Sequence, residues 1–290
     1  MSWEKEKQWM GIGVEVKGSL SSREILYKAK LDWEVSKIPS QRPKSYANQE
    51  TFRFYKAYFD TGKAEMEMAG SLDGARIIWA VARLNEDFML PEGDELKGYV
   101  LLASRHEDRK KIEVHFLTLR SACNSMLKIP TEVRPTVKNF FRRTFKSALP
   151  FISESTLFDE DMTQRTRDSF ELGRKAISAH AKNAQLLAEK KVDEQIAENY
   201  MNEVFKPNPD ADSEAEGRAQ VNARAALDAV GNAPGQNLES AQKSVWGLLT
   251  AVTYTADRLG KTPDSRLRQA WFGPNAKIKK RALELALKLL

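Results

Sequence analysis

The stretch from Arg76 to Leu127 constrains this chain more than any other. It reads ARIIWAVARL, a polar break, ELKGYVLLAS, the tip RHEDRKK, then IEVHFLTLRSACNSML. Branched and aromatic residues dominate it, and Ile112, Val114 and Phe116 alternate with Glu113 and His115. A period of two marks a half-buried strand. The tip between Ser104 and Ile112 carries five basic residues, counting His106, and two acidic ones, so it suits the solvated end of a long hairpin.

Upstream, residues 1–18 read as an arm anchored by Trp3 and Trp9. SLSSREILYKAKL suits a helix capped by Ser21 or Ser22, and LDWEVSKIP suits a strand ended by Pro39. ETFRFYKAYFDTG fits a further strand, with helix possible at both ends. AEMEMAGSLDGA, between Ala64 and Ala75, is ambiguous, with a short helix ending at Gly70 as one reading.

Downstream the period becomes helical. TEVRPTVKNFFRRTFKSALPF starts from Thr131 as cap, with Pro135 in the first turns and Val133, Val137, Phe140, Phe141 and Phe145 on the buried side. A long helical pattern follows from Met162 to Phe205, with a possible interruption near Gly173. KPNPDADSEAEG, Lys206 to Gly217, is the clearest linker. Helices are expected from Arg218 to Val230, from the cap Asn237 to Gly260, and on both sides of Gly273–Pro274. The expected fold is α+β: an antiparallel sheet with a long hairpin, covered by helices, and a helical C-terminal half. The expected divisions are a core domain 1–150, a long helical segment 151–205, the linker 206–217 and a helical region 218–290.

Chemistry is sparse. The one cysteine, Cys123, and three histidines, His106, His115 and His180, give no metal-ligand spacing, so neither a metal nor another cofactor is expected. Cys123 with His115 could be a thiol and its base, but a small buried residue at a strand end is the stronger reading. GIG at residues 11–13 lacks the context of a phosphate-binding loop. The chain reads as a non-enzyme. The lone cysteine and the absence of an apolar leader or spanning run point to the cytoplasm and away from membranes.

Charge is more informative. The net charge of +6 is modest, but Arg134, Lys138, Arg142 and Lys146 recur every four residues with Arg143 beside them, and no acid occurs between Val133 and Ser153. Four-residue spacing aligns these cations in one helical ridge, and an unneutralised ridge suits phosphates that release counterions. The loop cations Arg105, Arg109, Lys110 and Lys111 and the strand cations Arg53, Lys56, Arg76 and Arg83 interleave with Phe52, Phe54, Tyr55, Tyr58 and Trp79. Such a set could stack and neutralise a single strand, although aromatics of this kind more often form core. A third cluster, Lys277, Lys279, Lys280 and Arg281 with Arg266 and Arg268 upstream, suits a basic helix end as well as a binding site.

LDWEVSKIP, LTLRSACNSML, ISAHAKNAQ and SVWGLLTAVTYTADRL with AWFGPNAKIKKRALELAL, in this order, resemble the phage/plasmid-like family of uncharacterised proteins. Arg120, Cys123 and Asn124 match that family's strand ending, while Ser121, Ser125 and Met126 depart from it. Trp246, Ala251, Val252, Thr253 and Asp257 match its late helix, where Thr250 and Arg258 replace an Asn and a His. Trp9-Met10-Gly11-Ile12-Gly13 lacks the histidine of the family's N-terminal motif. The resemblance implies a mobile genetic element. The order of helix, L-x-W strand, antiparallel sheet and basic helix is also similar in layout to phage single-strand-annealing recombinases of the RecT/Redβ type. That similarity implies homo-oligomeric rings or filaments that hold DNA in a basic groove. The expected function is therefore single-stranded DNA binding and annealing in recombination or replication. Arg134, Lys138, Arg142, Arg143, Lys146, Arg109, Lys110, Lys111, Arg53 and Tyr55 are the contact residues. The alternative is a phage accessory or structural protein that assembles through its long helices.

Overall fold

The computed structural model describes residues 54–72, 76–105, 112–131, 160–207, 209–210, 212–260 and 262–290. Five strands form one antiparallel sheet in sequence order: β1 (Glu65–Leu72), β2 (Ile77–Leu90), β3 (Asp94–Arg105), β4 (Ile112–Arg120) and β5 (Ser125–Ile129). The helices described are α1 (54–61), α2 (Glu160–Glu189), α3 (Glu194–Phe205), α4 (Ser213–Asn232), α5 (Val245–Arg258), α6 (Pro263–Phe272) and α7 (Pro274–Leu287). The fold is α+β, with the C-terminal half mostly helical.

Near-continuous apolar runs such as IIWAVA and GYVLLA signal strands buried on both faces. Ile78, Ala80, Val100, Leu102, Val114 and Phe116 face the larger core, shared with α1, α2, α3, α4, α5 and α7. Trp79, Val81, Tyr99, Leu101, Leu117 and Leu119 face a smaller core completed by Leu267, Ala270 and Trp271 of α6. Trp79 and Trp271 meet edge to face at 5.2 Å. The hairpin of β3 and β4 pairs Leu102 with Val114 and Ser104 with Ile112.

Several boundaries differ from the sequence expectations. Residues 54–61 are helical, not a strand. Phe54, Tyr55, Tyr58 and Phe59 are all buried, and that spacing is the stripe of a helix. Residues 65–72 are the edge strand β1, not a short helix. Gly70 does not end a helix; it lets the backbone pass Trp79, whose ring would lie 2.7 Å from an added Cβ.

Gly173 does not interrupt α2. It lies against Phe116, whose ring atoms would be 2.1 Å from a Cβ, so the helix can sit close to the sheet there. The long pattern breaks instead after Glu189: Lys191 bridges to Ser244, and Asp193 caps α3 by accepting from the N–H of Ile196 at 2.8 Å. α4 begins at Ser213, inside the stretch read as linker, with Asp212 as its cap. Ser244, not Asn237, caps α5, accepting from Gly247 at 3.1 Å. The two helices expected around Gly273 and Pro274 are α6 and α7. The N-terminal arm, the helix with Ser21, the LDWEVSKIP strand and the helix after Thr131 lie outside the described residues.

Candidate functional site

Where β4 hands over to β5, two buried charge networks tie the sheet to the C-terminal helices. The register places Arg120 opposite Leu96, so the end of β4 lies beside the start of β3. Arg120 donates from Nε to both oxygens of Asp94, at 2.7 and 3.0 Å, and from Nη2 to the Gly235 carbonyl at 2.8 Å. Its guanidinium lies 5.9 Å from the centre of the Trp246 ring. Asp94 Oδ2 also accepts from Ser240 Oγ at 2.7 Å and from the indole N–H of Trp246 at 3.0 Å. Both charged residues are buried.

Two local features shape this junction. Asn124 takes a left-handed conformation (φ 53°), which an asparagine tolerates, and its N–H returns to the Arg120 carbonyl at 2.9 Å. Gly235 (φ 79°) approaches so closely that Ala122 would lie 2.5 Å from an added Cβ. His180 of α2 packs against Trp246 at 6.1 Å between ring centres, and burial pushes its imidazole down to about 4. It is therefore neutral at physiological pH. Its Nε2 and Arg120 Nη1 have no partner among the described residues.

The second network closes the edge of β5. The N–H of Met126 donates to Asp257 Oδ2 at 3.1 Å, while Lys279 Nζ donates to the Met126 carbonyl at 2.7 Å and pairs with Asp257. Burial lifts the Asp257 carboxyl, and Lys279 opposes that shift. An edge strand is thus bonded by an ion pair where a sixth strand would otherwise sit.

The chemistry of the first network is that of an interlock. Asp94 accepts from three donors, the Nε–H of Arg120 shared between both oxygens, the Ser240 hydroxyl and the Trp246 indole N–H. The Cys123–His115 pair does not assemble: Cys123 is buried in the turn after β4, and His115 Nε2 bonds Glu113 at 3.1 Å. The five residue steps from His115 to Arg120, the end of β4, span about 17 Å of strand. Among the described residues no cluster of histidine, cysteine or carboxylates could hold a metal ion, and no helix is long and apolar enough to cross a membrane.

Of the expected contact residues, Arg134, Lys138, Arg142, Arg143, Lys146, Arg109, Lys110, Lys111 and Arg53 lie outside the described residues. Tyr55 is inside them and is a correction. It is fully buried, donates its hydroxyl to the Ile78 carbonyl at 3.0 Å and cannot stack on a base. Phe54, Tyr58 and Trp79 are buried too. Lys56 and Arg83 pair with Asp60 and Asp87. In the terminal cluster, Lys279 is internal, Lys280 pairs with Glu284, and Arg281 donates to the Val204 and Lys206 carbonyls that end α3.

The residues that the sequence points to as characteristic therefore converge in space. Arg120 meets Trp246 through Asp94, and Asp257 meets the strand after Asn124. Residues 37–147 and 155–281, most of the chain, match a family model described as a domain of unknown function, DUF932. The chain belongs to this family. Both networks lie within the DUF932 match, from Asp94 to Lys279, so the interlock of sheet and helices is internal to the domain. Neither a curated protein nor a solved structure matches the chain. Sequence reasoning passed over Asp94, Ser240 and Gly235. Lys279 was visible, but only as one of several cations in a basic run.

Proposed function

We propose that this DUF932 protein is a single-stranded DNA-binding and annealing protein of a mobile genetic element, working as a homo-oligomer without nucleotide or metal. The observation that carries the reading is the ridge of Arg134, Lys138, Arg142 and Lys146, joined by Arg143, in a stretch without a single acid from Val133 to Ser153. A solubilising helix intersperses acids to gain i,i+4 pairs, as α2 does with Asp161–Arg165 and Glu171–Lys175. The ridge forgoes that stabilisation, and a phosphate backbone supplies the missing negative charge. In the sequence the basic stretch begins at Arg134, shortly after the end of β5 at Ile129. The hairpin-tip cations Arg109, Lys110 and Lys111 would add to the same electrostatic footprint.

The test is a salt-dependent titration of a single-stranded oligonucleotide with particle sizing. Binding at about 1 μM protein and low salt is expected, with affinity falling steeply as salt rises. Lys138→Glu with Arg142→Glu should abolish it at unchanged Tm. Retained binding in that variant would leave the ridge as a solvated face.

A second reading is favoured by one observation. Leu172 and Leu186, two heptads apart on α2, are 49% and 50% exposed. An accessory protein that assembles through this helix would cover them. Leu172→Glu would then shift the oligomer to a smaller species while oligonucleotide binding by the wild type would be absent.

A further inference from the structure

α2 commits one face to the core and presents the opposite one to water. Phe170, Ile177, Ala181 and Ala188 are buried. On the far side Leu172, Ala179 and Leu186 recur every seven residues, and all three are exposed. At about 100° per residue they drift by only about 40° over two heptads, so they form one apolar line about 21 Å long. A single exposed leucine needs no explanation. Apolar residues repeated at this spacing are what one helix presents to another.

The same face is self-complementary about Ala179. Leu172 and Leu186 stand seven residues before and after it, and Asp168 and Lys190, both exposed, stand eleven before and after. The Lys190 N–H still bonds the Leu186 carbonyl at 3.1 Å, so the helical ladder reaches that far. Asp168 accepts from Gln164 at 2.8 Å on one oxygen, and its other oxygen has no bond among the described residues. Asp168 and Lys190 are roughly 33 Å apart along the axis, too far to pair within one chain. An antiparallel second copy, related by a two-fold axis at Ala179, sets Asp168 against the second copy's Lys190 and Leu172 against its Leu186. Four residues from the centre, Lys175 meets Asn183, whose amide oxygen can accept from an ammonium, and Lys175 keeps its own Glu171 at 3.2 Å. Lys182 meets Ala176, small enough for the lysine stem to lie across it towards water. Parallel pairing would instead set Asp168 against Asp168 and Lys190 against Lys190.

We propose that the exposed face of α2 is an antiparallel, two-fold pairing surface for a second copy of this chain. In such an isologous contact each residue and its counterpart meet twice, so two leucine contacts and one charge pair on the sequence become four and two in the dimer. Two leucines per chain are thin cover beside a permanent interface, and the pair is therefore reversible. The inference deepens the homo-oligomeric part of the proposed function and rests on that part, not on the nucleic-acid part.

The experiment is sedimentation equilibrium of the full chain without DNA, from about 1 to about 100 μM. The wild type should associate as concentration rises, and Leu186→Glu should not. Asp168→Lys and Lys190→Asp should each weaken association about tenfold, because either homodimer sets like charges opposite one another twice. An equimolar mixture of these two variants rebuilds both pairs between unlike chains and should associate like the wild type, as should Asp168→Lys/Lys190→Asp in one chain. Neither rescue follows from a role of these residues in their own fold. Weakening without rescue overturns the inference. Association unchanged in every variant also overturns it and leaves the homo-oligomer to another surface. A wild type that stays monomeric throughout overturns it together with the homo-oligomer, and a lowered Tm of Leu186→Glu would then assign the apolar line to contacts within the chain. Oligonucleotide binding is titrated on the same samples: rescue in the mixture with no binding by the wild type upholds this inference and removes the single-strand reading.

Discussion

Arg120 and Asp94 form a buried ion pair across 26 residues of chain, with the guanidinium Nε bonded to both carboxylate oxygens. Removing one partner strands the other charge in the interior. Arg120→Met should lower stability by about 3–5 kcal/mol. Equilibrium denaturation in urea measures this, and a loss below about 1 kcal/mol would show that water reaches Asp94. Trp246→Phe removes only the indole N–H from Asp94, so its effect should be smaller, about 1–3 kcal/mol.

His180 predicts how stability depends on pH. Its folded value of about 4 lies below the ordinary 6.5, so between those limits the unfolded chain binds a proton that the folded chain refuses. Its contribution is fully present above pH 6.5 and is lost as pH falls towards 4, by up to about 3 kcal/mol. Denaturation midpoints at pH 7 and pH 5 should therefore differ more for the wild type than for His180→Phe. Equal differences would sink the assignment.

The Lys279–Asp257 pair can be examined with a double-mutant cycle. Lys279→Met alone leaves a buried carboxylate and should cost about 3–5 kcal/mol. Lys279→Met with Asp257→Leu removes both charges, and most of the loss should return. If the double variant is as unstable as the sum of the singles, the two residues act independently, contrary to the geometry.

Gly173→Ala introduces a methyl group where the Phe116 ring already lies, 2.1 Å from the new Cβ. A loss of about 1–3 kcal/mol is expected, even though alanine is the better helix former. Phe116→Leu in the same chain should recover part of it. A more stable Gly173→Ala chain would mean that α2 moves freely off the sheet.

The sheet was legible in the sequence because its information is local: apolar runs, a charged tip and turn residues in order. The same holds for α6 and α7, punctuated by Gly273 and Pro274. Residues 54–61 misled because aromatics on four of six consecutive positions satisfy two periods at once, and only packing selects the helix. Gly173 and Gly70 looked like breaks, since sequence cannot separate a glycine that ends an element from one that lets a ring come close. The candidate site divides in the same way. Arg120, Asn124, Trp246 and Asp257 stood out as features of resemblance, but their partners Asp94, Ser240 and Lys279 are joined to them only through contacts more than twenty residues apart. Tyr55 was misplaced for that reason as well, because its hydroxyl partner is a backbone carbonyl 23 residues away.

The ion pair that clasps Met126 has a bearing on polymers. A strand whose outward N–H and carbonyl are both engaged by side chains offers nothing to an incoming strand at that point. A strand from another molecule therefore has no free backbone group to pair with at Met126. Among the described residues the sheet's other edge is β1, so edge pairing with another molecule has to use β1 or a part of β5 away from Met126.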